Sequence, residues 1–334
     1  RPGRAGGGRP PLRRRVAAAA SAIFAALVRA RARAYANGRL GVAQLPVSVL
    51  SVGNLSLGGS GKTPTVIALG REFQARGVVF DVLTRGYRRA DRKLAIARTG
   101  GEAVREVGDE PALIARELQV PVLVHPDRFR AGLEGERRFG SRLHLLDDGF
   151  QHWQLARQFD LVLVSAWDLA DRLLPAGHLR ELPSALGRAS AVVWVGEWHD
   201  ATREMALARA ALAPYSSAPV FVARRTLRGA LPAAEPYYAF CGLARPQSFW
   251  RSLEDLGVRV LGRRAFRDHH LYRGRDLRQL EQARRLCGAT VFITTAKDAL
   301  KLPPQFGPLH VVEVEMEIPE LPALVDLAWK ACGL

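Results

Sequence analysis

The fold of this chain is decided by the stretch Gly53-Asn54-Leu55-Ser56-Leu57-Gly58-Gly59-Ser60-Gly61-Lys62-Thr63. It follows an apolar run of strand length at residues 47–52 and precedes a helical pattern at residues 65–76. A loop that binds phosphate needs glycines that let backbone N–H groups turn inward, a helix N-terminus, a Lys for the outer phosphates and a hydroxyl for magnesium. All of these parts are present. We therefore assign nucleotide binding to Gly58, Gly59, Ser60, Gly61, Lys62 and Thr63.

This loop departs from the pattern G-x-x-x-x-G-K-[ST] at one position, because Ser56 stands where the first glycine is usual. Gly58 and Gly59 are able to supply the unusual backbone angles instead. Pro64 lies in the first turn of the helix, where it costs no backbone hydrogen bond. The alternative is a glycine-rich strand-to-helix turn that binds nothing.

Apolar runs of strand length alternate with longer helical patterns from Pro46 onward, which is typical of an α/β fold with a largely parallel sheet. The runs lack the alternation of apolar and polar residues that marks a sheet with one solvent-exposed face, so we expect both faces to be buried. The strands of this first set are predicted at residues 47–52, 80–84, 120–124, 143–147, 161–165 and 192–195.

A second set of strands follows at residues 238–241, 258–261 and 290–294, with a helix at 274–287. Two extended runs, 219–225 and 310–316, bracket this set. If they pair, they form a two-stranded hinge between a core and a second, smaller α/β domain. The predicted division is a flexible extension at 1–12, a P-loop core at 13–218, the smaller domain at 219–316 and a return to the core at 317–334, which includes a helix at 321–331.

The composition describes an ordinary globular protein with an unusual charge. Of 334 residues, 48% are hydrophobic and 24% charged, which excludes a disordered chain. The net charge of +17 favours an anionic partner, which could be nucleic acid, a lipid leaflet or a phosphorylated substrate. We expect no nucleic acid, because the chain has no interleaved basic and aromatic surface. Cys241, Cys287 and Cys332 are far apart and form no metal-type pair, which fits a reducing cytosol.

Residues 16–28 are apolar except for Ser21, and arginines flank them on both sides. A stretch of 13 residues is too short for a spanning helix, which needs about 20. A short apolar helix with basic ends is able to lie in the headgroup region of an anionic leaflet. Two alternatives are a secretory signal peptide and an Ala-rich helix that packs on the protein itself.

Two adjacent carboxylates end the predicted strand at 143–147 and supply oxygen ligands for magnesium. Asp147 and Asp148 follow an apolar run, and an Asp at the end of a strand near a P-loop commonly supports the metal. Adjacent residues of a strand point to opposite faces, so we expect only one of the two to reach the metal. We assign magnesium binding to Thr63, Asp147 and Asp148.

Eight polar segments in a fixed order resemble the tetraacyldisaccharide 4'-kinase family of lipid A biosynthesis. The most distinctive is Asp147-Asp148-Gly149-Phe150-Gln151-His152, combined with the P-loop. The resemblance extends from Arg13 to the C-terminus, and the sequence departs from the family pattern at Arg88 and His178. The segments are residues 53–64, 84–87, 107–111, 127–128, 147–152, 175–181, 266–270 and 295–298.

The resemblance implies a peripheral enzyme at the cytoplasmic face of the inner membrane. With ATP and Mg²⁺, it would transfer the γ-phosphate to the 4'-hydroxyl of a lipid-linked glucosamine disaccharide 1-phosphate and leave ADP. It implies Asp109 as the base and His269 as its partner, with Lys62 on the transferred phosphate. On their own, Asp109 would be a helix start and His269 a surface histidine. The residues assigned to the substrate are Asn54, Arg85, Arg128, Gln151, His152, Arg180 and Glu181.

Several alternatives remain open at this point. The chain could be a P-loop kinase for another lipid-like alcohol, or a membrane-attached nucleotide switch. Residues 295–298, Thr-Ala-Lys-Asp, carry Ala where a guanine-reading motif has Asn, which speaks against a GTP switch. For Lys297 and Asp298, a substrate role and a structural role are both open. No obligate protein partner is expected.

Overall fold

The predicted alternation of strands and helices appears in a computed structural model, which describes residues 12–86, 93–97, 104–229 and 235–334. Residues 1–11 of the predicted extension 1–12, together with Tyr87 and Arg88, lie outside the described residues, whereas Leu12 begins a helix. The strands are β1 Ser48–Asn54, β2 Phe80–Thr84, β3 Ala95–Ala97, β4 Val122–Val124, β5 Leu143–Asp147, β6 Phe159–Val164, β7 Ala191–Val195, β8 Val220–Arg228, β9 Tyr237–Cys241, β10 Val260–Ala265, β11 Val291–Thr295 and β12 Leu309–Glu317.

Helices connect most of these strands. They are α1 Leu12–Ala36, α2 Lys62–Ala75, α3 Val104–Val107, α4 Asp109–Leu118, α5 Arg128–Phe139, α6 Ala166–Ala170, α7 Ala201–Leu212, α8 Pro246–Asp255, α9 Gly274–Leu286, α10 Ala296–Ala299 and α11 Leu321–Cys332. A short 3₁₀ helix covers Pro183–Arg188.

Within the described residues the strands form one sheet in the order β10-β9-β11-β12-β8-β7-β6-β1-β5-β2-β4-β3. Strand β1 lies between β5 and β6 and is parallel to both, with Val52 opposite Asp147 and Leu161. The central strands are buried on both faces, as the continuous apolar runs predict. The α/β fold with a largely parallel sheet is therefore confirmed. Because parallel strands end at one edge, Asn54, Thr84 and Asp147 come together there.

The two extended runs predicted to pair do so, as strands β8 and β12. They are antiparallel, with Met316 opposite Arg225, whereas β7 pairs parallel with β8 and β11 pairs parallel with β12. After β12, helix α11 returns to the core, where Trp329 stacks on Phe73 of α2 with ring centroids 6.4 Å apart. Independent movement of residues 219–316 about this strand pair stays a prediction.

Two details of the sheet differ from the prediction. The sequence pattern does not predict strand β3, because three residues against an edge strand carry too little periodicity to be recognised. Strand β10 runs to Ala265, beyond the predicted end at 261. It lies at the other edge of the sheet, so only alternate side chains are shielded, and Arg263 and Arg264 interrupt the apolar run.

Helix α1 packs on the core with one face and exposes the other. Ser21 Oγ donates to the Leu173 carbonyl at 2.9 Å and accepts from the Ala176 amide at 3.0 Å, while Ala25 joins an apolar cluster with Leu173. On the outer face, Ile23 and Leu27 are each 64% exposed. Among the described residues, no helix has the length and apolar character needed to cross a bilayer.

Candidate active site

The glycine-rich loop leads from β1 into α2 through two residues with left-handed backbone angles. Gly58 has a φ of 103° and Gly61 a φ of 95°, a region that glycine enters without steric cost. Gly61 is the N-cap of α2, and Lys62 is the first residue of that helix. Ser60 Oγ is buried without a hydrogen-bond partner in the described part of the chain. Glycines before a helix N-terminus, with an unsatisfied hydroxyl, fit a phosphate group.

The paired strands β8 and β12 touch this loop directly. Arg225 Nη2 of β8 donates to the Gly59 carbonyl at 2.7 Å. The Met316 side chain of β12 packs so closely on Gly61 that a Cβ there would overlap its methyl group. The strands that join the two parts of the molecule therefore also support the backbone of the loop.

Lys62, Asn54, Asp148 and Arg180 form one charged cluster. Lys62 Nζ donates to Asn54 Oδ1 at 2.9 Å and lies 3.3 Å from Asp148 Oδ1. Arg180 grips Asp148 with two hydrogen bonds, of 2.9 and 2.7 Å. Burial would raise the pKa of Asp148, but Lys62 and Arg180 outweigh it and hold this pKa well below its usual range. Asp148 is therefore an anion with both oxygens engaged.

The two adjacent carboxylates are separated by a turn rather than by the alternation of a strand. Asp147 is the last residue of β5, whereas Asp148 follows it with a φ of 55°. Thr84 Oγ1 donates to Asp147 Oδ2 at 3.4 Å, and Oδ1 is buried with no partner among the described residues. Burial, with Glu110 and Asp148 nearby, raises the pKa of Asp147. A buried carboxylate oxygen without a partner is suited to a cation.

The described residues contain no cluster of three or more His, Cys, Asp or Glu side chains placed to hold a metal ion. Magnesium at a nucleotide site does not require one, because one or two carboxylates combine with phosphate oxygens and water. Asp147, with its free oxygen, and the Thr63 hydroxyl after Lys62 therefore fit this ion.

Asp109 and His269 meet across the two parts of the molecule. Asp109 begins α4, after the N-cap Gly108, so it is not the N-cap that its sequence setting suggests. His269 Nδ1 lies 2.8 Å from Asp109 Oδ1 and 3.0 Å from Oδ2. His269 has a φ of 61° in the loop between β10 and α9. A left-handed histidine in a loop is uncommon and here turns the imidazole toward the core.

Two lysines complete this second cluster. Lys297 Nζ lies 3.7 Å from Asp109 Oδ2, and Lys301 Nζ lies 3.6 Å from the same oxygen. Burial would raise the pKa of Asp109, but the hydrogen bond from His269 and the charges of both lysines keep it well below its usual range. Asp298 is wholly buried and accepts from the Gly242 amide and Thr295 Oγ1, which is a structural arrangement. The sequence left the roles of Lys297 and Asp298 open. In the structure Lys297 faces Asp109, and Asp298 does not.

Arg128 and Arg85 place positive charge around the Asp147–Asp148 turn, and His152 lies close to Arg128. Arg128 is the first residue of α5 and is 5% exposed. Its Nη1 donates to the Pro126 carbonyl at 2.7 Å, and its Nε has no partner in the described structure. Burial, and the like charge of Arg85, lower the pKa of Arg128 to about 10. Burial and the charges of Arg128 and Arg157 lower the pKa of His152 to about 3, so its imidazole is neutral at pH 7.

Gln151 and Glu181 lie beside the end of β1. Gln151 Nε2 donates to the Asn54 carbonyl at 2.9 Å and to Glu181 Oε1 at 3.1 Å, and Gln151 Oε1 has no partner within the described ranges. Glu181 is also paired with Arg188 Nη1 at 3.0 Å. Glu181 therefore orients its neighbours with both of its oxygens engaged.

Sequence reasoning missed four residues of this region: Glu110, Arg188, Arg225 and Lys301. Glu110 lies in the segment 107–111, where the resemblance names only Asp109, and the other three have no motif that distinguishes them from the other charged residues of an Arg-rich chain. Only Lys301 has a usable signal, because it follows Asp298 by three residues and so lies on the same side of a helical turn.

Comparisons with known proteins agree on one family. The family model described as tetraacyldisaccharide-1-P 4'-kinase matches residues 13–330. A tetraacyldisaccharide 4'-kinase of Koribacter versatilis is 37% identical over 320 residues, covering 92% of this chain and 95% of the relative. One of Anaeromyxobacter sp. strain Fw109-5 is 40% identical over 305 residues, covering 85% of this chain and 81% of the relative.

A solved structure shows the same similarity in three dimensions. The crystal structure of LpxK from Aquifex aeolicus in complex with ATP superposes with a TM-score of 0.77 at 28% identity. The match covers 96% of this chain and 100% of the other.

Proposed function

Because this chain belongs to the tetraacyldisaccharide-1-P 4'-kinase family, we propose that the clusters around Lys62 and Asp109 are the two halves of its active site. The protein is a kinase that transfers the γ-phosphate of ATP to the 4'-hydroxyl of tetraacyldisaccharide 1-phosphate in lipid A biosynthesis. This expectation, together with ATP and Mg²⁺, is confirmed by the family match and the ATP complex of the Aquifex aeolicus protein.

The nucleotide half consists of the loop and its charged surroundings. The loop amides and Lys62 bind the outer phosphates, since phosphoryl transfer asks the protein mainly for positioning and charge stabilisation. Thr63 and Asp147 hold magnesium, which supplies positive charge to the phosphate oxygens when bound. Asp148, already paired with Lys62 and Arg180, orients these two cations and leaves the direct metal contact to Asp147.

Asp109 accepts the proton of the sugar hydroxyl in this proposal. Its low pKa suits a loose transition state, in which the proton moves late and the carboxylate mainly orients the hydroxyl. His269 fixes the carboxylate through Nδ1. Since His269 and Asp109 come from different parts of the molecule, the pair is complete only when these parts lie together.

The side chains that we assign to the lipid acceptor lie around the Asp147–Asp148 turn, next to the nucleotide half. Arg128 and Arg85 leave positive charge without a paired carboxylate in the described structure, which suits the phosphate that the disaccharide already carries. Gln151 Oε1 and the neutral imidazole of His152 are free to contact sugar hydroxyls. Asn54, Arg180 and Glu181 position these groups and do not contact the sugar themselves.

The protein associates peripherally with the cytoplasmic face of the inner membrane through α1. The outer face of this helix is apolar at Val16, Ile23 and Leu27, and Arg29, Arg31 and Arg33 follow. Apolar side chains with a basic border suit an anionic leaflet. The acyl chains of the substrate stay in the membrane, so this contact brings the cleft to them.

The observation that carries the proposal is the Asp109–His269 pair. This pair lies close to the nucleotide half, because Glu110, the neighbour of Asp109, is near enough to raise the pKa of Asp147. The test is a transfer assay with radiolabelled ATP, Mg²⁺ and tetraacyldisaccharide 1-phosphate in mixed micelles. We expect a bis-phosphorylated lipid with the wild type and with Lys330→Ala, an exposed control, and almost none with Lys62→Ala. An unchanged lipid together with lipid-independent GTP hydrolysis would favour the nucleotide switch instead.

A further inference from the structure

Lys301 is a buried cation between two carboxylates from different parts of the molecule. Its side chain is 1% exposed. Its Nζ lies 2.8 Å from Asp298 Oδ1 and 3.6 Å from Asp109 Oδ2. Asp298 belongs to α10 and Asp109 to α4, so this one ammonium group links the two elements.

We propose that Lys301 is a positioning residue for phosphoryl transfer, which holds the Asp109 carboxylate in place as an anion when α10 lies against α4. This inference rests on the proposed function, in which Asp109 orients the acceptor hydroxyl. Lys301 comes from the same part of the molecule as His269, and it adds a cation to the Asp109–His269 pair.

Asp298 holds one side of the Lys301 ammonium group rigidly, which allows that group to position Asp109. Asp298 accepts from the Gly242 amide at 3.0 Å and from Thr295 Oγ1 at 2.8 Å. Tyr272 donates its hydroxyl to Asp298 Oδ1 at 3.0 Å, and Lys301 Nζ lies 5.6 Å from the centre of the Tyr272 ring. With one side of the ammonium group held in this way, its remaining close carboxylate is Asp109.

Lys297 lies at a similar distance from Asp109 and also acts on it, but its surroundings differ. It is shared by three carboxylates, with Nζ 3.1 Å from Glu110, 3.5 Å from Asp268 and 3.7 Å from Asp109. It is also more exposed than Lys301, at 14% against 1%. Because Lys297 serves three carboxylates, its position is not specific to Asp109.

A purely structural role predicts a different behaviour. If Lys301 only neutralised the buried Asp298, removal of both charges together would leave the folded protein with the kcat of the wild type. A positioning role acts through Asp109, whose neighbours are His269 and Asp268 from the β10–α9 loop, Lys297 and Lys301 from α10 and its end, and Glu110 from α4. With one cation of this set removed, the Asp109 carboxylate is held less firmly, so kcat falls even when residue 298 carries no charge.

The experiment measures kcat and the KM values for ATP and the lipid disaccharide in four variants of the full-length protein. Lys301→Met removes the cation, and Lys301→Met with Asp298→Asn removes the buried unpaired charge as well, so that the fold is preserved. Lys301→Arg is the conservative variant, and Lys330→Met on α11 is the exposed control. Circular dichroism checks folding.

We expect the double variant to lose about tenfold or more in kcat, with the KM for ATP unchanged. Lys301→Arg should retain most of the wild-type kcat, and Lys330→Met should match the wild type. A wild-type kcat in the folded double variant, or an equal loss in Lys301→Arg, would overturn the inference. If the wild type itself transferred no phosphate to the disaccharide, the proposed function would fail first, so the two failures are distinguishable.

Discussion

His269 Nδ1 lies 2.8 Å from Asp109 Oδ1, although the two residues are 160 positions apart in the chain. Asp109 begins a helix of the core, and His269 comes from a loop after β10, at the far edge of the sheet. Their meeting depends on the turn of the chain through β8 and back through β12. The chemistry proposed for this protein therefore requires that both halves of the fold be in place.

His269→Gln should lower kcat by about 10²-fold or more, since acid–base groups and their partners contribute on that scale. Glutamine is close in size, so the fold should remain intact while the imidazole is lost. The measurement is steady-state transfer to the disaccharide, with His199→Gln as a control at an exposed histidine. Equal activities of the two variants would remove His269 from the mechanism.

Gly61→Ala should impair ATP binding by about tenfold or more. A methyl group at this position overlaps the Met316 side chain, and a φ of 95° is costly for any residue with a Cβ. Gly38→Ala is the matched control, because Gly38 also has a positive φ, of 66°, but a Cβ there meets no atom within 4 Å. Nucleotide affinity is measured with a fluorescent ATP analogue.

If both alanine variants bound the analogue as tightly as the wild type, close packing of β12 on the loop would have no bearing on nucleotide binding. A loss in Gly61→Ala alone would place the effect at the loop itself, where the methyl group meets Met316 and the φ of 95° is costly.

Ile23→Asn combined with Leu27→Asn should weaken binding to anionic vesicles by about tenfold or more, because two exposed apolar side chains no longer enter the lipid. Vesicle flotation measures the bound fraction. Leu207→Asn on α7 is the control, since Leu207 is 55% exposed on another helix. Unchanged flotation of the double variant would refute the role of α1, and raised salt should weaken the wild type through its arginines.

His144→Gln should destabilise the fold by about 3–5 kcal/mol, the scale for breaking a buried charged pair. His144 Nδ1 lies 2.6 Å from Asp81 Oδ1, and both side chains are fully buried. Nε2 lies 3.3 Å from Glu136 Oε1. Burial would lower the pKa of His144, but the hydrogen bonds with Asp81 and Glu136 outweigh it, so this pKa is raised.

The raised pKa gives the sign of the pH dependence. The folded state binds the proton more tightly than the unfolded state, so the contribution is complete below the unfolded pKa of about 6.5 and is lost as pH rises through the folded value. Urea unfolding at pH 6 and pH 9 should therefore show a larger deficit for His144→Gln at pH 6. His178→Gln, at an exposed pair with Asp171, should show almost none. A larger deficit at pH 9 would contradict the raised pKa.

The sequence alone is sufficient to predict those features of this protein that depend on neighbouring residues. Glycines, Lys62 and Thr63 between a strand and a helix predict the phosphate loop, because those backbone angles and side chains are set within a few residues. Continuous apolar runs predict a parallel sheet buried on both faces. Two extended runs predict the pairing of β8 with β12, and the order of the eight polar segments is enough to indicate the family.

Only the tertiary structure decided which charged groups meet. Asp148 turns away from the strand that ends at Asp147, and Lys301 reaches Asp109 from a different element. His144 and Asp81 pair across neighbouring strands inside the core. The reason is physical: local sequence fixes backbone angles and residue type, whereas the distance between two remote side chains depends on strand order, helix packing and the burial that these create.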